Sequence, residues 1–274
     1  MSLHWIDPDI ANDSRHKLLT PRMSLTHTTG FPNWRFFTQD QKLSFEKQPG
    51  RAFSYSGEGF EYLAKFVEQK TGADFASLVR EYVFNPIGIS NASYYIDEAN
   101  FKNIAQSKGV DGNFPGHYCY PFNGYCRQKG SSTPADDLVI SVEDFTKFLV
   151  SVMRGNGYSS ELIEDRNRVQ STPEDGKKTV DCKDIATRKC PNQQGYGLGW
   201  EVLDYGNSKI VAHGGSDWHE LSLAYFDTQT LDGVVVFMNA PNKKAVAAMP
   251  HAISLLDSDS PYIQFYQRWL SALN

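Results

Sequence analysis

The sequence predicts an α+β protein: a helical lobe first, then an antiparallel sheet closed by two terminal helices. Three observations carry this. In the first two thirds, apolar residues recur at helical spacing, as in Phe60, Leu63, Ala64 and Val67. From Gly195 the texture changes to short β-prone runs at 196–204, 209–213, 221–226 and 234–239, parted by the turn signals Tyr205-Gly206-Asn207 and Asp232-Gly233. Helical spacing then returns at about 245–256 and 262–273. The expected organisation is one domain over 1–274, with 18–170 mainly helical and 195–274 forming the sheet and C-terminal helices.

Each helix has its punctuation. Thr20 reads as an N-cap with Pro21 at the first helical position, and Gly30 as the stop. Ser56 opens the helix of Phe60 to Val67, and Gly72 ends it. Asp74 caps a helix with Phe75, Leu78, Val79 and Tyr82 on one face, closed by Pro86. Ser141 and Asp144 form a capping-box pattern before Phe145, Phe148, Leu149 and Val152, with Gly155 at the end. The stretch 88–135, rich in Gly, Asn, Tyr and Pro, reads as ordered irregular structure. The polar stretch 171–194 reads as a surface excursion.

Composition excludes several classes. With 40% hydrophobic residues in 274, the chain can bury a substantial core. The net charge is −5, with both signs mixed, so nothing points to nucleic acid or an anionic membrane surface. No apolar run is long enough to span a bilayer. No signal peptide is visible, and Met1-Ser2-Leu3 reads as an appended start before His4. Four cysteines fall in two close pairs, which suits local bridges Cys119–Cys126 and Cys182–Cys190 and an oxidising compartment; four reduced thiols are the alternative. His117 lies near Cys119, but no C-x-x-C spacing supports zinc, and no metal or cofactor is expected. G-x-S-x-G, Walker A, G-x-G-x-x-G and H-E-x-x-H are all missing from the sequence.

Four phrases, in order, carry a resemblance: LLTPRMSLTHTTGFPNW at 18–34, FSYSGEGFEYL at 53–63, VFNPIGISNASYY at 83–95 and VAHGGSDWHELSLAYF at 211–226. Together they resemble the serine β-lactamase-like and penicillin-binding-protein family, which includes class C β-lactamases, D-Ala-D-Ala peptidases and β-lactamase-fold esterases. The resemblance implies a β-lactamase-like fold and acyl transfer through a serine, on a small ester, amide or peptide. It implies that Tyr55 stands for the family tyrosine of Y-x-N, which shares the nucleophile's proton. It implies that His213-Gly214-Gly215 stands for K-T-G, and that the Ser216 N–H serves an oxyanion hole. The family and the cysteine pairs together imply a periplasmic or secreted protein.

The departures are informative. Gly57 replaces the family asparagine and offers no amide to substrate. His213 can donate a hydrogen bond as lysine does, but is mostly neutral at pH 7. Trp218 is bulkier than the family's small residues, and His219 reads as a surface histidine at a strand end. His27, in the L-T-H-T-T-G phrase, reads as a packing and hydrogen-bonding residue. The S-x-x-K at Ser14-Arg15-His16-Lys17 lies only 12 residues before Thr26, in a polar stretch without the apolar face of a buried helix. It reads as a chance match. The family's nucleophile helix, like its N-terminal strands, is expected to precede Met1. The chain alone is then expected to be inactive, and one sheet edge open to another copy. The alternative is a non-catalytic binding protein on the same fold. Either way the fold must bring Tyr55 and His213, 158 residues apart, onto one cavity, with the Ser216 N–H turned into it.

Overall fold

The computed structural model describes residues 5–95, 103–106, 108–114, 116, 132–174, 177–182 and 190–273. Helix α1 is Pro21–Leu25, and the Thr20 hydroxyl accepts the Met23 N–H as expected of the cap. It ends five residues before Gly30, because the chain turns into the left-handed region at His27, φ 53°. Helix α2, Gly57–Thr71, starts where the Ser56 hydroxyl accepts the Gly59 N–H and stops at left-handed Gly72. Helix α3, Phe75–Val79, is capped by Asp74. Pro86 does not close it: the coil continues through a π turn at Arg80–Phe84 and a 3-10 turn at Asn85–Ile87, and Gly88 ends the run. Proline is tolerated there because it sits in the first turn of the new 3-10 segment.

Strands β1 (Ala92–Ser93) and β2 (Val139–Ile140) form a small antiparallel ladder. Helix α4, Val142–Arg154, is capped by Ser141 through the Asp144 N–H. Helix α5, Ser160–Arg166, was not expected: at seven residues it is too short and too charged to show a periodic face, and its visible sign is the Ser159 cap.

The sheet is β3 (Gln193–Tyr196), β4 (Glu201–Asp204), β5 (Lys209–Ser216), β6 (Leu221–Asp227) and β7 (Gly233–Met238), antiparallel throughout and in sequence order. The run expected at 196–204 is a hairpin instead, with the Gly197 N–H donating to the Trp200 carbonyl across the turn. Helices α6 (Asn242–Leu256) and α7 (Pro261–Ala272) close the chain.

Alternation along the strands splits the core in two. Leu203, Ile210, Ala212, Leu223 and Tyr225 face Val246, Met249, Ile253, Tyr262 and Tyr266 of α6 and α7. Val211, Ala224 and Phe226 face Leu149 and Val152 of α4. A separate core beneath α2 holds Leu19, Phe31, Leu43, Tyr62 and Phe66. Beside it Arg35 binds Asp7 at 2.8 Å, Asp9 at 3.1 Å and Glu58 at 2.9 Å, which locks the head of α2 to the N-terminal segment.

Two further expectations need correction. The stretch 171–194 is not all surface: Thr179 and Val180 are buried, and the Gln194 amide pairs both backbone groups of Val180 at 2.9 Å. His219 is buried rather than exposed, because the segment around Gly109 covers it; a Cβ at Gly109 would lie 3.7 Å from its ring. Among the described residues no helix is long and apolar enough to cross a membrane.

Cys182 and Cys190 are bridged, their Cα atoms 5.5 Å apart. The proposed partner pair, Cys119 and Cys126, lies outside the described residues, as does His117. Closing so short a loop mainly restricts the unfolded chain. Replacing Cys182 and Cys190 together by serine is expected to lower unfolding free energy by about 2–3 kcal/mol in urea titrations, and dithiothreitol should destabilise the wild-type chain more than this variant.

Candidate active site

The site forms where β5 outruns its neighbour. Strand β4 pairs only with residues 209–212 of β5, so His213, Gly214, Gly215 and Ser216 run on past its end. They stay paired with β6 on the other side, in unbroken register to Ser216 opposite Leu221. The Asp217 N–H donates to the Glu220 carbonyl at 2.9 Å, so that pair is hydrogen-bonded, and the alternation of an antiparallel ladder sets the rest. His213 and Gly215 turn their backbone groups toward β6. Gly214 and Ser216 turn theirs the other way, into the space left by β4. The Ser216 hydroxyl takes a hydrogen bond from the Asn242 amide at 2.8 Å. A Cβ on Gly215 would meet the Ser222 hydroxyl at 2.6 Å, so its glycine makes room for a β6 side chain as well as for a ligand.

Side-chain alternation puts His213 on the Val211 face, toward the helical lobe. There it meets Tyr55. Their ring centroids are 6.4 Å apart, and Tyr196 completes a triangle at 6.2 Å from Tyr55 and 6.3 Å from His213. Tyr55 precedes the Ser56 cap, so the extended backbone that starts α2 also aims its ring. It keeps one side open to solvent, at 42% exposure, and Gly214, Gly215 and Ser216 are exposed beside it.

Beneath Tyr55 lies His27, 1% exposed and stacked on the phenol ring at 4.2 Å. Its Nδ1 accepts the Ser56 N–H at 3.1 Å. The packing and hydrogen-bonding role expected of it is what these contacts describe. Gly57 has a steric reason: a Cβ there would lie 2.5 Å from the Trp34 indole, so Trp34 occupies the space an asparagine would need.

Two residues were missed in the sequence. Tyr196 sits in the Gly195-Tyr196-Gly197-Leu198-Gly199-Trp200 run, whose glycine density was the available signal. Glu61, one turn into α2, accepts the Ala135 N–H at 2.8 Å; burial, with Glu58 and Asp136 nearby, pushes its carboxyl up to about 7. Nothing in its local sequence marks it.

The electrostatics are those of a neutral pocket. Desolvation on its walled side, with the Asp136 carboxylate, holds the Tyr55 phenol above its usual value although its other side stays open. Burial holds His213 below the usual imidazole range. Burial and the neighbouring His213 push His27 down to about 3. At neutral pH Tyr55 is therefore a phenol, and both imidazoles are uncharged. Tyr55 needs a cation beside it to act as a base. Ser14 and Lys17 do not serve: both are exposed, on a 3-10 turn at Ser14–Leu18 capped by Asp13. Among the described residues no cluster of His, Cys, Asp or Glu is arranged to hold a metal ion.

Comparison with known proteins bears on family and fold. The family model described as Beta-lactamase matches residues 4–257. A D-aminopeptidase of Gluconobacter oxydans (strain 621H) is 32% identical over 53 residues, which is 19% of this chain and 10% of that protein. The octameric penicillin-binding protein homologue from Pyrococcus abyssi superposes with a TM-score of 0.64 at 20% identity, over 95% of this chain and 61% of that one. The D-amino acid amidase from Ochrobactrum anthropi SV3 complexed with D-phenylalanine superposes with a TM-score of 0.62 at 17% identity, over 84% of this chain and 74% of that one.

The depressed His27 has a consequence for stability. Between its ordinary 6.5 and about 3 the unfolded chain binds a proton that the folded chain refuses. The contribution of neutral His27 is therefore fully present above 6.5 and is lost as pH falls toward about 3. Urea unfolding at pH 7 and pH 4.5 is expected to show a loss of about 2–3 kcal/mol from this residue, and His27→Asn should remove that part of the pH dependence. An unchanged pH dependence in the variant would contradict the assignment.

Proposed function

The chain belongs to the beta-lactamase family, and from there we propose that the Tyr55–His213 cleft is the acyl-transfer site of a serine hydrolase acting on a small amide or peptide. The carrying observation is that three separate elements converge: the segment leading into α2, the end of β5 and the end of β3. Tyr55 shares the proton of the attacking serine. The outward N–H of Ser216 donates to the carbonyl oxygen as negative charge develops on it, together with the serine's own N–H. His213, neutral, donates a hydrogen bond to the acyl substituent. Gly214 and Gly215 let substrate lie along the strand edge. The amide preference is supported by the names of the similar proteins, a D-aminopeptidase and a D-amino acid amidase. Missing the family's asparagine amide, with Trp34 packed against Gly57, the cleft is a poor fit to a dedicated β-lactamase.

The nucleophile in this proposal is a serine other than Ser14, since Ser14 and Lys17 sit exposed on their turn. Its lysine supplies the positive charge that Tyr55 otherwise lacks. The Cys182–Cys190 bridge supports an exported protein. The outer strand β7 is the proposed place for a further strand, from this protein or another copy, to pair.

A fluorophosphonate probe tests this. The present chain is expected to take no stoichiometric label. Supplying an S-x-x-K helix in front of residue 4 should create labelling at the new serine, and Tyr55→Phe should slow it by about 100-fold or more. Labelling of Ser14 in the present chain would overturn the nucleophile assignment. Undiminished labelling in Tyr55→Phe would overturn the role of the tyrosine.

A further inference from the structure

We propose that His27 is the positioning residue of Tyr55, holding its backbone on both sides and its ring from below. This rests on Tyr55 being the tyrosine of the acyl-transfer site. The two peptide N–H groups that flank Tyr55 both end on His27. The Ser54 N–H donates to the His27 carbonyl at 2.8 Å, and the Ser56 N–H donates to Nδ1 at 3.1 Å. The imidazole then stacks on the Tyr55 ring, centroids 4.2 Å apart and planes 28° from parallel. Three contacts from one residue thus fix the chain before Tyr55, the chain after it and the plane of its ring.

His27 is itself held. It takes φ 53°, a left-handed conformation that histidine adopts more readily than bulky residues do. Its N–H donates to the Ser24 carbonyl at 3.3 Å. Phe53 at 5.7 Å, Phe60 at 5.3 Å and Tyr196 at 4.8 Å wall its ring. A residue that only filled this space would be better apolar, because the ring's other nitrogen, Nε2, is buried without a hydrogen-bond partner among the described residues. With Nδ1 accepting, the neutral ring must carry its proton on that Nε2. The imidazole is kept at the cost of an unsatisfied donor, and what it gains is the Ser56 bond. That bond also sets Ser56 in place to cap α2, so the start of the helix and the direction of Tyr55 are decided together.

The test follows Tyr55 directly. In chain carrying ring-labelled tyrosine, with Tyr55 assigned by its loss in Tyr55→Phe, His27→Asn and His27→Ala are compared with wild type. Asparagine tolerates the left-handed backbone and still offers an acceptor; alanine offers neither ring nor acceptor. In both variants the Tyr55 titration is expected to move down toward about 10 as its ring loosens into water, with Tyr62 unmoved. Exchange of the Ser56 amide should rise about tenfold or more in His27→Ala and less in His27→Asn. In the chain supplied with an S-x-x-K helix, His27→Asn should slow acylation and leave KM unchanged. Unaltered Tyr55 titration and Ser56 exchange in folded variants would overturn the proposal. So would a wild-type histidine spectrum showing His27 protonated on Nδ1, a measurement that does not depend on any variant folding. If Tyr55→Phe acylates normally while His27 still governs the Tyr55 titration, the functional proposal fails and the structural clamp stands.

Discussion

The site depends on a mismatch in strand length. Strand β5 has eight residues and β4 has four, so the last four residues of β5 have a partner on β6 and an open side where β4 has stopped. A strand in mid-sheet spends every backbone group on its neighbours. Beyond β4, alternation turns the Gly214 and Ser216 backbone groups away from β6, to the side where β4 has stopped. This gives a strand that presents backbone groups on its outer side without strain. The tight turn between β3 and β4 is part of the same arrangement, because it starts β4 only at Glu201, opposite Ala212, with Tyr196 at the end of β3 beside the gap.

The second half of the site answers to a different constraint. Tyr55 belongs to the connection that leads into α2, where a side chain would ordinarily be poorly fixed. Here the ends of that connection are tied at His27, and the head of α2 is tied through Glu58 to Arg35. The helical lobe thus presents one ring to the sheet from an anchored position. Because the cavity is neutral and partly dry, any cation brought to it would act on Tyr55 more strongly than it would in water.

Much of this was legible in the sequence, for reasons that differ by residue. The caps Thr20, Ser56, Asp74 and Ser141 were visible because each is a short polar residue ahead of an apolar periodic run, and each makes the expected bond. The sheet was visible because its strands are short β-prone runs parted by turn signals. Residues whose role depends on the fold's long-range contacts were not. Glu61 looks like an ordinary exposed helix glutamate until the loop at Ala135 covers it. His219 looks like a surface residue until the Gly109 segment lies over it. Gly57 looked like a lost amide, and only the position of Trp34 shows that no side chain fits there. Helix α5 and the β3–β4 hairpin fail for a local reason: both are too short to display a period.

The central claim is that two residues far apart in sequence share one cleft. A nuclear Overhauser measurement on the present chain tests it without activity, ligand or variant. With ring centroids 6.4 Å apart, the Tyr55 and His213 ring protons should show a direct cross-peak, as should Tyr196 with both. Cross-peaks from Tyr55 to His27 alone, with His213 contacting neither tyrosine, would contradict the account, since the sheet and the helical lobe would then not form a common site.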